Sequence, residues 1–316
     1  MRACPSQAFV LGAGLGTRLK SLTARLPKPL IPVCNEPLIT RVFAHLRGNG
    51  VERFIINTHW RAEAYARAFP DAQWADCPLA FSHEFPEVLE TAGGLKQAEP
   101  LLRSGEGGAF WVYNGDILSD LPLERAWEAH CAAGNEVTLV LRSKDGPLQV
   151  GWDAATGLVT DLGRRLHPER EPGFLFTGIY VVEPAFLQRI PPAAKLGVVP
   201  VFLEMIRRQA RLGGVVVDEG CWWDLGSREQ YLAVHRELAR TTHGAPWVHP
   251  GAVLGPGAQL RGACAIGFGA RVGEGAVLED TVVWAGASVE PGAILNRCIV
   301  TENAVVSGFH EDVDLS

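Results

Sequence analysis

Short apolar runs alternate with longer amphipathic stretches from residue 1 to about residue 240. The short runs have the composition of strands, and the longer stretches repeat apolar residues at helical spacing. The predicted strands are Ala8–Leu11, Arg53–Asn57, Leu79–Ser82, Ala109–Tyr113, Val137–Leu141, Phe176–Val182 and Gly214–Val217. The predicted helices are Arg61–Phe69, Gly94–Leu102, Leu123–Ala133, Val201–Ala210 and Arg228–Arg240. This alternation predicts an α/β fold with a mostly parallel mixed sheet, helices on both faces and a ligand site at the carboxyl ends of the strands.

From Trp247 onward the pattern changes to a repeat of six residues. The large apolar positions are Val248, Leu254, Leu260, Ile266, Val272, Leu278 and Trp284. Four residues after each comes a small or β-branched one: Ala252, Ala258, Cys264, Ala270, Ala276, Val282 and Ser288. The pattern indicates a left-handed parallel β-helix of roughly three coils over Trp247–Val306. The alternative, a linker rich in glycine and alanine, does not account for a register kept over seven repeats.

These two patterns divide the chain into a first domain, residues 1–242, and a β-helix domain, residues 243–316. The open ends and flat sides of a β-helix favour packing against another subunit or against the first domain. We therefore expect a homo-oligomer and expect the second domain to serve assembly. An acyltransferase in the β-helix is the other option, and about three coils leave little surface for an acyl-CoA groove.

Charge and cysteine usage narrow the class of partner. The formal net charge of −6 argues against nucleic acid as a partner, because binding a phosphate backbone needs a basic face. Anionic small molecules remain possible ligands if cations are focused locally. The seven cysteines are scattered and form no C-x-x-C pair, which favours a cytoplasmic protein without disulfides or structural zinc. No apolar run approaches the roughly 20 residues of a membrane span, so no membrane association is expected.

The strongest chemical signal is a glycine-rich stretch directly after the first predicted strand. Leu11, Gly12, Ala13, Gly14 and Leu15 lead into Gly16-Thr17-Arg18-Leu19, and Pro27-Lys28-Pro29-Leu30 follows. Glycines let successive N–H groups point at phosphate oxygens, and an arginine and a lysine add cations. A dinucleotide-binding loop would have a third glycine where Thr17 stands, and a Walker A loop would have Lys-Ser/Thr after the glycines. Neither pattern matches.

These motifs resemble the sugar-1-phosphate nucleotidylyltransferases, whose signature is G-x-G-T-R-L followed by P-K-P-L. Further matches are Glu90-Thr91-Ala92-Gly93-Gly94, Asn114-Gly115-Asp116, Phe176-Thr177-Gly178-Ile179-Tyr180 and Trp223-Asp224-Leu225-Gly226. An attached hexapeptide helix is typical of the mannose-1-phosphate guanylyltransferases. The stretch from Leu89 to Gly94 is more similar to the N-acetylmuramate-1-phosphate uridylyltransferases.

The resemblance implies a Rossmann-like nucleotidyltransferase domain that joins a nucleoside triphosphate to a sugar 1-phosphate and releases pyrophosphate. It implies that Asp116 and Asp224 bind Mg²⁺ and that Arg18 and Lys28 are catalytic. The nucleotide-binding residues it implies are Leu11, Gly12, Ala13, Gly14, Gly16, Thr17, Arg18, Glu84, Gly93 and Asp116. Mg²⁺ favours one or two carboxylates, with phosphates and waters completing its shell, which agrees with two aspartates.

The candidate contacts of the base and of the sugar phosphate lie outside the signature motifs. Glu84 stands where the family reads the base, and its carboxylate suits guanine but also uracil or thymine; the alternative is a surface glutamate. The family's Glu-Lys-Pro, whose lysine meets the sugar phosphate, is absent. Arg164 or Arg165 is the candidate replacement, and Thr177 and Gly178 are further sugar-phosphate candidates. We expect GTP with mannose 1-phosphate or UTP with an amino-sugar 1-phosphate; the alternative is a non-catalytic regulatory paralogue.

Overall fold

The computed structural model describes residues 2–19, 21–103, 108–241 and 243–316. These residues form two compact units. The first contains the chain up to Leu15 together with Ile39–Trp223, and the second contains Gly16–Leu38 and Asp224–Ser316. Thr242, the last residue of the predicted first domain, lies outside the described residues. The segment Gly16–Leu38, which carries the signature, thus groups with the C-terminal part of the chain.

Strands and helices are numbered in chain order. The first fourteen strands are β1 (Gln7–Leu11), β2 (Pro32–Val33), β3 (Glu36–Pro37), β4 (Arg53–Thr58), β5 (Gln73–Trp74), β6 (Cys77–His83), β7 (Phe110–Asn114), β8 (Ile117–Ser119), β9 (Val137–Arg142), β10 (Val150–Asp153), β11 (Leu158–Leu162), β12 (Leu175–Val182), β13 (Leu212–Val216) and β14 (Trp222–Asp224). The α-helices of the described residues are α1 (Leu38–Gly48), α2 (Ala62–Ala68), α3 (Glu90–Gln97), α4 (Glu99–Arg103), α5 (Glu124–Ala133), α6 (Val198–Arg207) and α7 (Arg228–Thr241). Thr17–Leu19, Lys28–Leu30 and Pro184–Arg189 form 3-10 turns.

The first unit is built on a ten-stranded sheet in the order β10-β11-β13-β9-β12-β7-β1-β4-β6-β5. Strands β7, β1, β4 and β6 run parallel, whereas β12 runs antiparallel between β7 and β9. Parallel strands buried on both faces need continuous apolar runs, and β1 and β4 have them: Ala8, Phe9 and Val10 and the run Phe54–Ile56 are completely buried. The predicted α/β class with a mostly parallel mixed sheet is confirmed.

All seven predicted strands and five predicted helices occur, although Gly94–Leu102 divides between α3 and α4. The prediction lacks helix α1, the hairpin β10–β11 and the short strands β2, β3, β5, β8 and β14. In α1 the large apolar residues do have helical spacing, and all are buried: Leu38, Ile39, Val42, Phe43 and Leu46. The hairpin gave a weaker signal because its strands are only partly buried and mix polar with apolar residues.

The C-terminal strands form three parallel sheets, in the orders β15-β18-β21-β24-β27, β16-β19-β22-β25 and β17-β20-β23-β26. They are β15 (Trp247–Val248), β16 (Val253–Leu254), β17 (Gln259–Arg261), β18 (Ala265–Ile266), β19 (Arg271–Val272), β20 (Val277–Glu279), β21 (Val282–Val283), β22 (Ser288–Val289), β23 (Ile294–Asn296), β24 (Ile299–Val300), β25 (Val305–Val306), β26 (Phe309–Glu311) and β27 (Asp314–Leu315). Each strand pairs with the strand three further along, as in a parallel β-helix, and the coils continue beyond the predicted end at Val306.

The six-residue register holds to Leu278 and then shifts by one. Ile266 pairs with Val283, so that coil has 17 residues rather than 18. The inward position therefore belongs to Val283, and the prediction for Trp284 is wrong. The small positions shift likewise from Val282 and Ser288 to Thr281 and Ala287, because one residue is missing from the coil.

In the described part of the chain, no helix has the length and apolar character that a bilayer crossing requires.

Val305 and Val306 allow a matched test of the β-helix core. Val306 points inward with 6% of its surface exposed, whereas Val305 points outward with 71% exposed. Val306→Ala should lower the free energy of unfolding by about 2 kcal/mol, since it removes two buried methyl groups and leaves a cavity. Val305→Ala should change it by less than about 0.5 kcal/mol. Denaturant titration compares the two variants, and equal losses would contradict the inward register.

Candidate functional site

The carboxyl ends of three parallel strands meet where the glycine-rich loop begins. Leu11, the last residue of β1, pairs with Asn57 of β4 on one side and with Asn114 of β7 on the other. The loop at Gly12 thus emerges between two strands that each carry an asparagine at this level. This is the edge of an α/β sheet at which ligands bind.

A buried hydrogen-bond network holds the backbone of Gly12. Its N–H donates to Asn57 Oδ1 at 2.7 Å, and its carbonyl accepts from the Tyr65 hydroxyl at 2.9 Å. Burial raises the pKa of Tyr65 well above its ordinary value, so the phenol remains a donor. A Cβ at residue 12 would lie 2.7 Å from both the Asn57 carbonyl and the Tyr65 hydroxyl, so only glycine fits. Asn57 of β4 and Tyr65 of α2 therefore fix the position of the first glycine of the loop.

Glu84 continues this network and is completely buried, so the alternative of a surface glutamate is wrong. Its Oε1 accepts from Asn57 Nδ2 at 2.7 Å, and its Oε2 accepts from the Leu89 N–H at 2.6 Å. A Cβ at Gly94 would collide with this carboxylate and with the Asn57 amide, which explains the glycine there. The geometry makes Glu84 a support for Asn57, and its contact with a base stays a prediction.

Asp116 lies in the turn directly after β7 and is partly buried. The preceding Gly115 donates its N–H to the Leu11 carbonyl at 2.9 Å. A Cβ at residue 115 would lie 2.5 Å from that same oxygen. This glycine lets the turn that carries Asp116 close tightly against the end of β1.

Thr177 and Gly178 form an irregular point in β12, where its pairing with β9 shifts register. Gly178 has a φ of 77°, and a Cβ there would collide with the Asn114 side-chain amide. Thr177 is buried, and its hydroxyl donates to the Val140 carbonyl at 2.8 Å. The Trp222 indole N–H donates to the Thr177 carbonyl at 2.9 Å. Gly178 thus lies beside the strand end that leads to Asp116, whereas the Thr177 hydroxyl is used within the sheet.

In the second unit, Asp224 brings the two signature cations together. Its Oδ1 accepts from Lys28 Nζ at 3.2 Å, and its Oδ2 accepts from Arg18 Nη2 at 3.3 Å. The Lys28 side chain is 6% exposed and that of Arg18 is 66% exposed. A buried ammonium needs an anionic partner, whereas the screened Arg18 pair contributes little to stability. A Cβ at Gly226 would lie 2.5 Å from the Arg18 guanidinium, so the last glycine of Trp223-Asp224-Leu225-Gly226 makes room for it.

The rest of the signature loop has few contacts of its own. Ala13 is buried, whereas Gly14 and Thr17 are exposed. A Cβ at Gly14 would meet open space. Gly16 has a φ of 60°, and its carbonyl accepts from the Thr23 hydroxyl at 2.9 Å. Exposure of this stretch agrees with a ligand-binding role, which remains a prediction.

Arg164 and Arg165 follow β11 in a loop organised by Asp161. The Asp161 carboxylate accepts from the backbone N–H groups of Leu162, Arg165, Leu166 and His167. Burial opposes its ionisation, but these four donors together lower its pKa below the ordinary value. The Arg164 guanidinium donates to the Pro168 carbonyl at 2.7 Å and pairs with Glu171 at 3.0 Å. Arg164 is therefore engaged inside its own loop, and its role as a sugar-phosphate ligand stays a prediction.

Gly93 is placed by packing. Its N–H donates to the Leu196 carbonyl at 3.0 Å, and a Cβ would collide with the Ala194 carbonyl. Its contact with a nucleotide stays a prediction.

A family model described as nucleotidyl transferase matches residues 7–241. The chain belongs to the nucleotidyl transferase family. The predicted membership and enzyme class are thereby confirmed. The matched stretch contains the whole ten-stranded sheet, the signature segment and Asp224.

Individual relatives extend this similarity into the β-helix. The chain is 29% identical to mannose-1-phosphate guanylyltransferase of Mycobacterium tuberculosis, over 92% of this chain and 83% of that protein. It is 29% identical to mannose-1-phosphate guanylyltransferase 1 of Arabidopsis thaliana, over 93% of this chain and 81% of that protein.

Two solved structures share the nucleotidyl transferase fold. HddC from Yersinia pseudotuberculosis has a TM-score of 0.60 at 21% identity, over 72% of this chain and 97% of that chain. The inositol-1-phosphate CTP transferase from T. maritima has a TM-score of 0.59 at 16% identity, over 73% of this chain and 93% of that chain.

The sequence did not single out Asn57 or Tyr65, the two side chains that hold Gly12. Asn57 did give a signal: it is a polar residue after Ile55-Ile56, near the carboxyl end of a buried strand. Such a position in a parallel sheet is typical of site residues. Tyr65 gave none, because an aromatic residue on an amphipathic helix is typical of a core position.

The Asn57–Glu84 bond predicts a rescue. Asn57→Asp keeps the acceptor for Gly12 but sets two buried carboxylates against each other, which should cost about 1–3 kcal/mol of stability and most of the activity. Adding Glu84→Gln restores a donor–acceptor pair with reversed polarity, because a glutamine can donate to the new carboxylate at position 57 and still accept from Leu89. Thermal unfolding and initial rates of the single and double variants test this. A double variant that is less stable and less active than Asn57→Asp would contradict a direct hydrogen bond between residues 57 and 84.

Proposed function

We propose that this nucleotidyl transferase transfers a guanylyl group from GTP to mannose 1-phosphate, with release of pyrophosphate. The observation that carries the transfer is the joining of Arg18 and Lys28 at Asp224. The choice of substrates is supported by the guanylyltransferases that are similar over 92–93% of this chain, β-helix included.

The reaction explains why two cations, Arg18 and Lys28, belong to this set of residues. A sugar phosphate has a second pKa near about 6, so its oxygen is already a nucleophile at neutral pH and no general base is required. The enzyme must bring two anions together and stabilise charge on the α-phosphate during in-line displacement. Lys28 is suited to this because its buried ammonium acts in a medium of low dielectric. Arg18, being exposed, is suited to meeting the incoming triphosphate.

The carboxylates present fit a divalent cation that is bound with its substrates. In the part of the chain that the structure describes, no group of three or more His, Cys, Asp or Glu side chains could enclose a metal ion. Mg²⁺ suits such a site because it takes one or two carboxylates and completes its shell with phosphates and waters. We propose that Asp116 and Asp224 hold it. When bound, Mg²⁺ would neutralise the phosphates.

Under this proposal, Asp224 would bind Lys28 and Arg18 in the free enzyme and Mg²⁺ when the substrates are bound. Without substrates it pairs with Lys28 and Arg18. Phosphate oxygens offer these cations an alternative anion, which would leave the Asp224 carboxylate available as an oxygen ligand. In the free enzyme, Asp224 would thus hold Lys28 and Arg18 near the position that the substrate phosphates take.

A substrate matrix tests the proposal. The purified full chain is incubated with each of GTP, UTP, ATP, CTP and dTTP against mannose, glucose and N-acetylated amino-sugar 1-phosphates, with Mg²⁺ present, and pyrophosphate release is measured. We expect the highest kcat/KM for GTP with mannose 1-phosphate. Preference for UTP with an amino-sugar 1-phosphate would overturn the choice of substrates, and binding without turnover would overturn catalysis.

Asp116→Asn and Asp224→Asn should each lower kcat/KM by at least about 10²-fold, because each removes a charge from a Mg²⁺ ligand. Asp76→Asn is the control, since Asp76 is 91% exposed and pairs with Arg47 on the surface. Rates across a Mg²⁺ titration measure the effect. Near-wild-type turnover of both variants at limiting Mg²⁺ would contradict the assignment.

Lys28→Met keeps the buried stem and removes the charge. It should lower kcat by about 10²–10³-fold and change KM for the nucleotide much less, because charge on the α-phosphate grows in the transition state. Steady-state kinetics separate the two effects. A raised KM with an unchanged kcat would make Lys28 a residue of ground-state binding.

A further inference from the structure

We propose that the β-helix positions Arg18 and Lys28 for nucleotidyl transfer, and that Asp314 in its last strand is a positioning residue that acts through Ser21. The inference rests on the catalytic role proposed above for these two cations. It adds to the assembly role expected from the sequence, because the signature segment Gly16–Leu38 forms one compact unit with α7 and the β-helix. Three sets of hydrogen bonds, here called tethers, join the signature segment to α7 and the β-helix.

The first tether joins the signature segment to the last strand. Ser21 Oγ donates to Asp314 Oδ2 at 2.7 Å, three residues after Arg18. The other oxygen of Asp314 accepts from Arg228 Nε at 2.8 Å, and both of those side chains are 18% exposed. Arg228 also donates to the Arg297 carbonyl of the β-helix. A charge-assisted bond with limited exposure is stronger and less screened than a surface ion pair. The bond to Arg228 therefore fixes the Asp314 side chain in the orientation in which it accepts from Ser21.

The second tether is the hairpin β2–β3. Its two-residue turn has positive φ at both Cys34 (51°) and Asn35 (70°), which is typical of tight hairpins. Asn35 Nδ2 donates to the Trp247 carbonyl at 3.0 Å and to the Ile266 carbonyl at 2.9 Å. These two residues lie in β15 and β18, which are neighbouring strands of one sheet and belong to successive coils of the β-helix. One side-chain amide therefore binds the hairpin to two coils at once.

The third tether runs through α7. The Tyr231 hydroxyl donates to the Pro32 carbonyl and accepts from the Trp284 indole N–H at 3.1 Å. His235 Nε2 accepts from the Cys34 N–H at 3.1 Å. Burial raises the pKa of Tyr231 well above its ordinary value, so the phenol can donate and accept in this chain of bonds.

Together the tethers enclose the catalytic cations. Lys28 lies between the first tether, at Ser21, and the third, at Pro32, and Arg18 lies just before the first. Asp224, which binds both cations, lies four residues before Arg228 at the start of α7. A displacement of about 1 Å at groups that orient substrates can lower a rate up to about 10²-fold. Loosening the β-helix contacts should therefore slow catalysis without removing any catalytic group.

Kinetics of Ser21→Ala and Asp314→Asn in the full chain test this role. Each should lower kcat about tenfold and change KM for mannose 1-phosphate by less than about threefold, because the cations remain but are held less well. Ser21→Thr, which keeps the hydroxyl, should restore most of the rate. The double variant should be little slower than the slower of the two single variants, because both changes act on the Ser21–Asp314 bond.

Glu311→Gln is the matched control. Glu311 is a carboxylate close to Asp314 that bonds only within the β-helix, to Asn296 and Arg297, in the contacts of the described chain. It should keep the wild-type kcat. Ser21→Ala is the variant that is safest for the fold, since Ser21 is exposed and the Arg228–Asp314 pair stays intact.

Hydrogen exchange gives a readout that does not depend on turnover. In Ser21→Ala and Asp314→Asn, peptides from the signature segment should exchange faster. In Ser21→Ala, which leaves the Arg228–Asp314 pair intact, β-helix peptides and the unfolding temperature should match the wild type. Wild-type kcat in both variants, or unchanged exchange in the segment, would overturn the positioning role. A wild-type enzyme without turnover in the substrate matrix would sink the proposed function instead, and the exchange data would still decide whether Asp314 holds the segment.

Discussion

A buried ammonium must have an anion beside it, and this constraint organises the candidate site. Lys28 is 5% exposed, and removing its charge from water without a partner would cost several kcal/mol. Asp224 supplies the carboxylate, and the exposed guanidinium of Arg18 shares it. Because Asp224 closely precedes α7 and Lys28 belongs to the signature segment, their pairing joins two stretches of chain that are distant in sequence. The cluster of charge needed for chemistry on phosphates is thus also a fold contact.

The sheet uses a different device, a chain of hydrogen bonds between buried side chains and the backbone. Glu84 orients Asn57, and Asn57 orients the N–H of Gly12. Tyr65 secures the opposite side of the same residue. Each of these side chains has its polar atoms paired, so the network can be buried without a large energetic penalty. It gives the loop a rigid starting point, from which its later glycines extend into solvent.

Periodicity predicted the sheet and the β-helix because burial on one or both faces leaves a regular trace in the sequence. The resemblance to the sugar-1-phosphate nucleotidylyltransferases implied that Arg18, Lys28, Asp116 and Asp224 form a functional set, and the structure brings three of these into contact. What the sequence could not supply is which groups support the set. Asn57 and Asp314 act through contacts made across distant parts of the chain, and no local pattern records such contacts. Nor could a repeat read at strict six-residue spacing show where the repeat fails.

The change in coil length has a consequence for docking on the β-helix. A helix of identical coils offers the same surface at every level, so a segment lying along it could slide from one level to the next at little cost. The coils of this protein are not identical, because stacked residues are 18 apart for Val248 and Ile266, 17 apart for Ile266 and Val283, and 15 apart for Val300 and Leu315. The first change in length turns Trp284 out of the repeat and toward Tyr231. Because coil length changes along the helix, the segment that docks near Trp284 would not meet the same surface one level away.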